Sequence, residues 1–157
     1  MNVKLITVGR TSAYYLREGE LEYQNRLKHY MKFERIDIVD LKVSQKISPN
    51  EVKKKEAALI LKQLNPTDQV VLLDENGKDF SSVEFSKWFE KRTLSGIKRL
   101  IFIVGGAYGF DKAIYKRAND KIRLSSLTFS HQMVRLFFLE QLYRIGTILK
   151  SEKYHHQ

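Results

Sequence analysis

Apolar residues along this 157-residue chain fall into two periods, one of two residues and one between three and four. Val3 to Val8 is an apolar-rich run closed by Gly9 and predicts a first strand. Ser12 then reads as the cap of a helix reaching about Tyr30, with Tyr15, Leu16, Leu21, Tyr23 and Leu27 as its apolar positions. Phe33 to Leu41 alternates, Ile36, Ile38 and Leu41 against Arg35, Asp37 and Asp40, and predicts a second strand. Ser48-Pro49-Asn50-Glu51 combines a capping box with proline at the first helical position, so a helix starts there and runs through Leu61 toward Asn65-Pro66. Gln69 to Leu73 is a third strand, and Asp74-Glu75-Asn76-Gly77 carries a turn signal. Ser81-Ser82-Val83-Glu84 is a second capping box, opening a helix with Phe85, Trp88 and Phe89 on one face and an end near Gly96. Arg99 to Val104 is a fourth strand, Asp111 to Ala118 a short helix, Lys121 to Leu124 a short fifth strand, and His131 to Lys150 a long final helix.

Strands that alternate with helices pair in parallel, so the fold class is α/β, a three-layer, parallel-rich sheet in one domain spanning residues 1–157. No repeat or low-complexity stretch interrupts it. The last helix is apolar over more than one face: Met133, Val134, Leu136, Phe137, Phe138, Leu142, Ile145, Ile148 and Leu149. Such a helix is buried on several sides. A central position in one core or a subunit interface would each account for it.

The 43% hydrophobic content excludes a disordered chain. No run of about 18 apolar residues exists to span a membrane, and the opening residues lack the organisation of a secretory signal. Without cysteine there is neither a disulfide framework nor a thiolate metal site. A soluble, cytoplasmic protein is expected. The net charge of +10 is uneven, with nine basic and three acidic residues from Lys112 onward. A basic field of that kind attracts polyanions, nucleic acid above all. The run Lys53-Lys54-Lys55 reads as a solvated helix face.

Two loops leave strands and enter helices, at the edge where open α/β sheets bind ligands. Gly105-Gly106-Ala107-Tyr108-Gly109 matches neither GxGxxG nor GxxxxGK[ST], so both nucleotide fingerprints are absent. Its glycines allow positive φ and close approach of a ligand to the backbone; a tight turn would need them equally. The second loop, Leu124 to His131, interleaves the hydroxyls of Ser125, Ser126, Thr128 and Ser130 with Leu124, Leu127 and Phe129. That suits a ligand with one apolar ring and polar edges, or an ordinary turn in which Ser130 caps the last helix. His131 lies where a helix dipole disfavours the imidazolium, so a neutral ring there can accept a proton; a structural histidine is the plainer reading. No HExxH and no GxSxG is present, so metal catalysis and serine hydrolysis are not expected.

Gly9, Leu72-Leu73-Asp74 with Gly77-Lys78, Phe102 to Gly109, Leu124-Ser125 with Thr128 to Gln132, Glu140-Gln141-Leu142-Tyr143-Arg144 and Tyr154-His155 occur in this order. The ordered set closely resembles the large-subunit ribosomal RNA pseudouridine N3-methyltransferases of the SPOUT superfamily, and it extends over essentially the whole chain. The resemblance implies an α/β fold with a deep C-terminal trefoil knot and a homodimer whose knotted segments pack together. It also implies S-adenosylmethionine as cofactor and N3 of a pseudouridine in 23S rRNA of the assembled ribosome as target, with no metal. By motif position the cofactor contacts fall at Leu73, Gly105, Leu124, Ser125, Ser126, Leu127, Thr128 and Phe129. The catalytic candidates are His131 or His155 as proton acceptor, with Tyr154 orienting the base. Arg123, Arg135, Arg144 and Lys153 are the candidate RNA contacts. The chain departs from the family in having Ser130 where proline is common, and a serine cap can replace a proline helix start. The alternative reading is a non-catalytic RNA- or ribosome-binding protein on the same fold. A flavodoxin-like nucleotide binder ranks below both, because Gly9-Arg10-Thr11-Ser12 is a poor phosphate loop.

Overall fold

The computed structural model describes residues 1–41 and 47–156. Five strands, β1 (Asn2–Val8), β2 (Lys32–Ile38), β3 (Gln69–Asp79), β4 (Arg99–Val104) and β5 (Asp120–Arg123), form one parallel sheet in the order β2-β1-β4-β3-β5. Five helices alternate with them: α1 (Tyr14–Leu27), α2 (Pro49–Leu61), α3 (Ser82–Leu94), α4 (Lys112–Arg117) and α5 (Met133–Leu149). The α/β class and the parallel sheet are as expected from sequence.

Leu100 to Val104 is buried at every position because β4 is central and helices cover both faces. Successive side chains point to opposite faces. Val3, Leu5, Leu100, Phe102 and Val104 meet α1, α3 and α5, while Ile6, Val8, Ile101 and Ile103 meet α2 and α4. Helix α5 packs on α1 and α3 and sinks Phe138, Leu139, Leu142 and Ile145 completely into the first of these cores. Most of its apolar excess is therefore explained within one chain; Phe137 is left 42% exposed.

Both capping boxes form. Ser48 Oγ accepts from Glu51 N and Ser81 Oγ from Glu84 N, and each glutamate accepts in return from its serine backbone. Ser12, in contrast, caps nothing. Helix α1 starts at Tyr14 behind Ala13, and Ser12 N and Oγ donate instead to Gln132 Oε1 at 2.9 and 3.0 Å. That contact ties the loop after β1 to the start of α5. Strand β2 ends at Ile38, short of Leu41, and α5 starts at Met133, two residues past His131.

The expected turn at Asp74–Gly77 is not a turn. Strand β3 continues to Asp79 through a bulge, and both Leu73 and Lys78 stand opposite Ile122 of β5. Asp74 Oδ1 accepts from Asn76 N at 2.8 Å, local chemistry that a bulge and a turn share. Gly77 is required by close approach, since a Cβ there would lie 2.6 Å from Ile122 N.

From β3 the chain moves over α3 to β4, next to β1; from β4 it returns over α4, on the other face, past β3 to β5. The connections diverge at the C-terminal ends of β3, β4 and β5. A crevice opens at such a switch point.

Candidate functional site

That crevice is a cleft of about 1040 Å³. Its walls are the β3 bulge from Leu73 to Asn76, the glycine loop from Val104 to Phe110, and the segment from Leu124 to His131. Leu73, Gly105 and the run Leu124, Ser125, Ser126, Leu127, Thr128 and Phe129, three segments far apart in sequence, all line it, as do His131 and Arg123.

The glycines of the first loop divide the two roles open to them. Gly109 has φ of 75° and its N–H donates to Gly106 O at 3.1 Å, so it serves the turn. Gly105 and Gly106 serve close packing. A Cβ on Gly105 would meet the Phe110 ring at 3.2 Å, and one on Gly106 would meet the Glu56 carboxylate oxygens at 3.0 and 3.1 Å. Glu56 is buried beneath this loop, and burial together with nearby Asp40 raises its pKa above the ordinary carboxylate value. The third wall is held by its own hydroxyls: Ser125 Oγ accepts from Leu127 N at 2.9 Å, and Ser130 Oγ accepts from the N–H of Met133, the first residue of α5, at 3.1 Å. The helix itself begins three residues past Ser130, behind Gln132, whose side chain makes no capping bond. Phe129 stacks on Phe137 with ring centroids 4.7 Å apart.

Across the rim, Tyr115 of α4 donates to Asp74 Oδ2 at 2.6 Å, linking the segment after the glycine loop to the β3 bulge. Burial and this carboxylate push the phenol up to about 12. Nothing in the sequence pattern marked Tyr115. Asp74 was visible only as part of a motif.

His131 is half-buried at the cleft. Burial lowers its pKa, the Arg135 guanidinium lowers it further, and Asp40 opposes them. Its neutral form is therefore favoured, with desolvation as the largest cause.

Tyr154 and His155 do not join the cleft lining. Tyr154 OH donates to Glu140 Oε1 at 3.1 Å and lies 3.3 Å from Tyr23 OH, while its ring stands edge-on to Tyr143 and beneath the Arg144 guanidinium. Burial, Tyr23 and Glu140 raise the Tyr154 pKa, so the phenol stays protonated and can only donate or accept hydrogen bonds near neutrality. Arg144 Nη1 is 3.2 Å from His155 Nδ1. Arginine has only donors, so Nδ1 accepts and the proton of a neutral His155 sits on Nε2. No lone pair of His155 is free while that bond lasts.

The candidate RNA contacts separate just as sharply. Arg135 is wholly buried and donates to Val8 O at 2.6 Å, Gly9 O and Thr11 Oγ1 at 3.0 Å, and His131 O at 3.2 Å. It is a structural bolt between the β1–α1 loop and α5, and the expectation that it meets phosphate is corrected. Arg123 forms a two-pronged pair with Asp79, its Nε 2.7 Å from Oδ1. Arg144 is paired with Glu140. Lys153 is exposed. Lys53, read from sequence as part of a solvated face, instead lines the cleft beside the glycine loop; Lys54 and Lys55 are exposed as expected. Among the described residues no group of three His, Cys, Asp or Glu is arranged to hold a metal ion, and no helix is long and apolar enough to cross a membrane.

A parallel sheet with a switch-point cleft walled by glycine backbone and hydroxyl-bearing loops defines a small α/β protein built to take a compact polar ligand. Comparison with known families makes this specific. Residues 1–155 match the family described as "Predicted SPOUT methyltransferase". Full-length similarity extends to proteins named "Ribosomal RNA large subunit methyltransferase H". The one from Christiangramia forsetii is 54% identical over 157 residues, covering all of both chains. That from Parabacteroides distasonis is 52% identical and that from Bacteroides fragilis 47%, again over the whole of both chains. The chain belongs to the SPOUT methyltransferase family.

Proposed function

We propose that this enzyme transfers the methyl group of S-adenosylmethionine to N3 of a pseudouridine in 23S ribosomal RNA of the assembled ribosome, in the cytoplasm. The observation that carries this reading is the convergence of Leu73, Gly105 and Leu124 to Phe129 on one cleft, joined to the ribosomal RNA methyltransferase names of the full-length relatives.

The residues present fit the cofactor. Gly105 and Gly106 present bare backbone at the cleft, packed closely against Phe110 and Glu56 behind them. Leu73, Leu127 and Phe129 offer apolar surface for an aromatic ring, and Ser125, Ser126 and Thr128 offer hydroxyls and amides for polar edges. When bound, the sulfonium supplies an electrophilic methyl group. The protein's work is then alignment of the attacking nitrogen and removal of its proton.

His131 is the better candidate for the proton. It stands at the cleft and its neutral form is favoured, whereas the Nδ1 of His155 is engaged by Arg144. Tyr154 and His155 belong to the reaction through a homodimer, which is part of the same proposal: the tail of one protomer would face the cleft of its partner. Exposed Leu127 and Phe137 give that dimer apolar surface to cover. The deep trefoil knot implied by the family would lie in the C-terminal part that carries both loops.

The test is methyl transfer from labelled donor to intact ribosomes and to free rRNA, with the modified base mapped. Methylated N3 of a pseudouridine in ribosomes is expected. Ribosome binding with no calorimetric uptake of S-adenosylmethionine would favour the non-catalytic binder instead.

A further inference from the structure

Three of the four cations expected to meet RNA are engaged inside the protein, Arg135 by backbone carbonyls, Arg123 by Asp79 and Arg144 by Glu140. The positive charge available at the cleft comes from elsewhere. Lys53 on α2 lines the cleft with Gly105, Gly106 and Gly109. Its position is fixed because its neighbours Val52, Glu56 and Ala57 are buried. Lys54 follows it, exposed. Lys112 opens α4 just beyond the same glycine loop and is also exposed. Helices α2 and α4 pack side by side on one face of the sheet. Among the described residues the ion pairs engage none of these three lysines.

Several nearby acids are already occupied, while exposed Asp40 and Glu75 face no ion-pair partner among the described residues. Glu51 accepts from the Ser48 cap, although Lys54 and Lys55 stand close enough to lower its pKa. Asp111 caps α4 by accepting from Ala113 N at 2.8 Å. Glu56 is buried under Gly106. Asp74 and Glu75 belong to the opposite wall, Asp74 bonded to Tyr115. A base that enters this cleft brings its flanking phosphates to the rim, where unpaired lysines gain most from an anion.

We propose that Lys53, Lys54 and Lys112 form a phosphate-binding ledge that holds the RNA backbone against the cleft mouth. This rests on the reading of RNA as substrate and adds the surface that receives it. Lys53 contacts the phosphate nearest the reacting nucleotide, and Lys54 and Lys112 extend the track to either side of the glycine loop.

The test measures association of the fluorescently labelled full-length protein with intact ribosomes across a series of KCl concentrations. Compared are the parent, Lys53→Gln/Lys54→Gln/Lys112→Gln, and the control Lys87→Gln/Lys91→Gln on α3. The ledge variant is expected to lose roughly 0.7–0.9 of salt slope per lysine removed. Its melting temperature should match the parent, and the control should keep the parent's slope. An unchanged slope in the ledge variant overturns the proposal, as does an equal loss in the control, which would mean diffuse charge. Weakened donor binding with an intact slope would assign Lys53 to the donor's carboxylate and also overturn it. A parent that binds RNA with no salt dependence would count against the proposed function itself.

Discussion

Replacing Arg135 by methionine tests the division between structural and RNA-facing cations. The guanidinium is wholly buried and its donors reach the carbonyls of Val8, Gly9 and His131 and the hydroxyl of Thr11. Methionine fills much of the volume and satisfies none of these acceptors. Thr11 keeps its bond to Glu20 at 2.8 Å, and Glu20 keeps Arg35 at 2.6 Å, so neither is orphaned. The Val8 carbonyl loses its 2.6 Å partner, and the Gly9 carbonyl retains only a long contact of 3.4 Å with Thr7 Oγ1. Each buried acceptor left without a donor costs about 1–3 kcal/mol. The variant should therefore lose about 2–6 kcal/mol, and at roughly 2–4 °C per kcal/mol for a chain of this size the melting temperature should fall by at least about 4 °C. Arg135→Lys keeps the charge but cannot reach several carbonyls at once and should also be destabilised. The assay is thermal unfolding followed by circular dichroism at one protein concentration, paired with the salt dependence of RNA association measured well below the transition. The salt slope should stay with the parent. A variant that melts with the parent and loses about one unit of slope would refute the buried-bolt reasoning and return Arg135 to the RNA interface.

Tyr115→Phe removes the 2.6 Å bond to Asp74 across the cleft rim; because Tyr115 is 40% exposed, stability should change by less than about 1 kcal/mol, while S-adenosylmethionine binding weakens several-fold by calorimetry. Parent-like donor affinity would remove any role for that link in holding the cleft. Gly77→Ala drives a methyl group to 2.6 Å from Ile122 N, and should cost about 1–3 kcal/mol in a denaturant titration; a neutral result would mean that the β3 bulge shifts freely. Burial lowers the pKa of His131, so the parent's stability relative to His131→Gln is full above the unfolded value of about 6.5. It should decline as pH falls from there through the lower folded value. A difference that instead declines as pH rises would mean the imidazolium is the favoured form.

Much of the fold was legible because its signals are local. Strand β4 is a continuous apolar run bounded by Gly96 and Gly105, and both capping boxes announce helix starts within four residues. The bulge was misread because Asp74 and Asn76 make the same backbone bond in a bulge as in a turn, and only the partner strand distinguishes them. Ser12 is not the cap because α1 starts one residue later, behind Ala13, and the Ser12 N–H and hydroxyl both donate to Gln132, 120 residues away, a contact no local pattern announces. Arg135 carries a signal of its own burial in the sequence: it is the one charged residue from Met133 to Leu139, on a helix apolar over more than one face. The assembly of the cleft was legible only through the ordered motifs, since no periodicity says that Leu73, Gly105 and Leu124 become neighbours. That follows from the return of the chain past β3 to β5.

The placement of α5 bears on how the molecule is made. Phe138, Leu139, Leu142 and Ile145 complete the core against β1 and β4, and Arg135 locks onto the carbonyls of Val8 and Gly9. Helix α5 is synthesised after every strand, so until it has emerged the sheet face it shares with α1 and α3 is only partly covered. The contacts of α5 with α1, between opposite ends of the sequence, form only then; such long-range closure slows folding and leaves part of an apolar sheet face open to chaperones or to other chains in the interval.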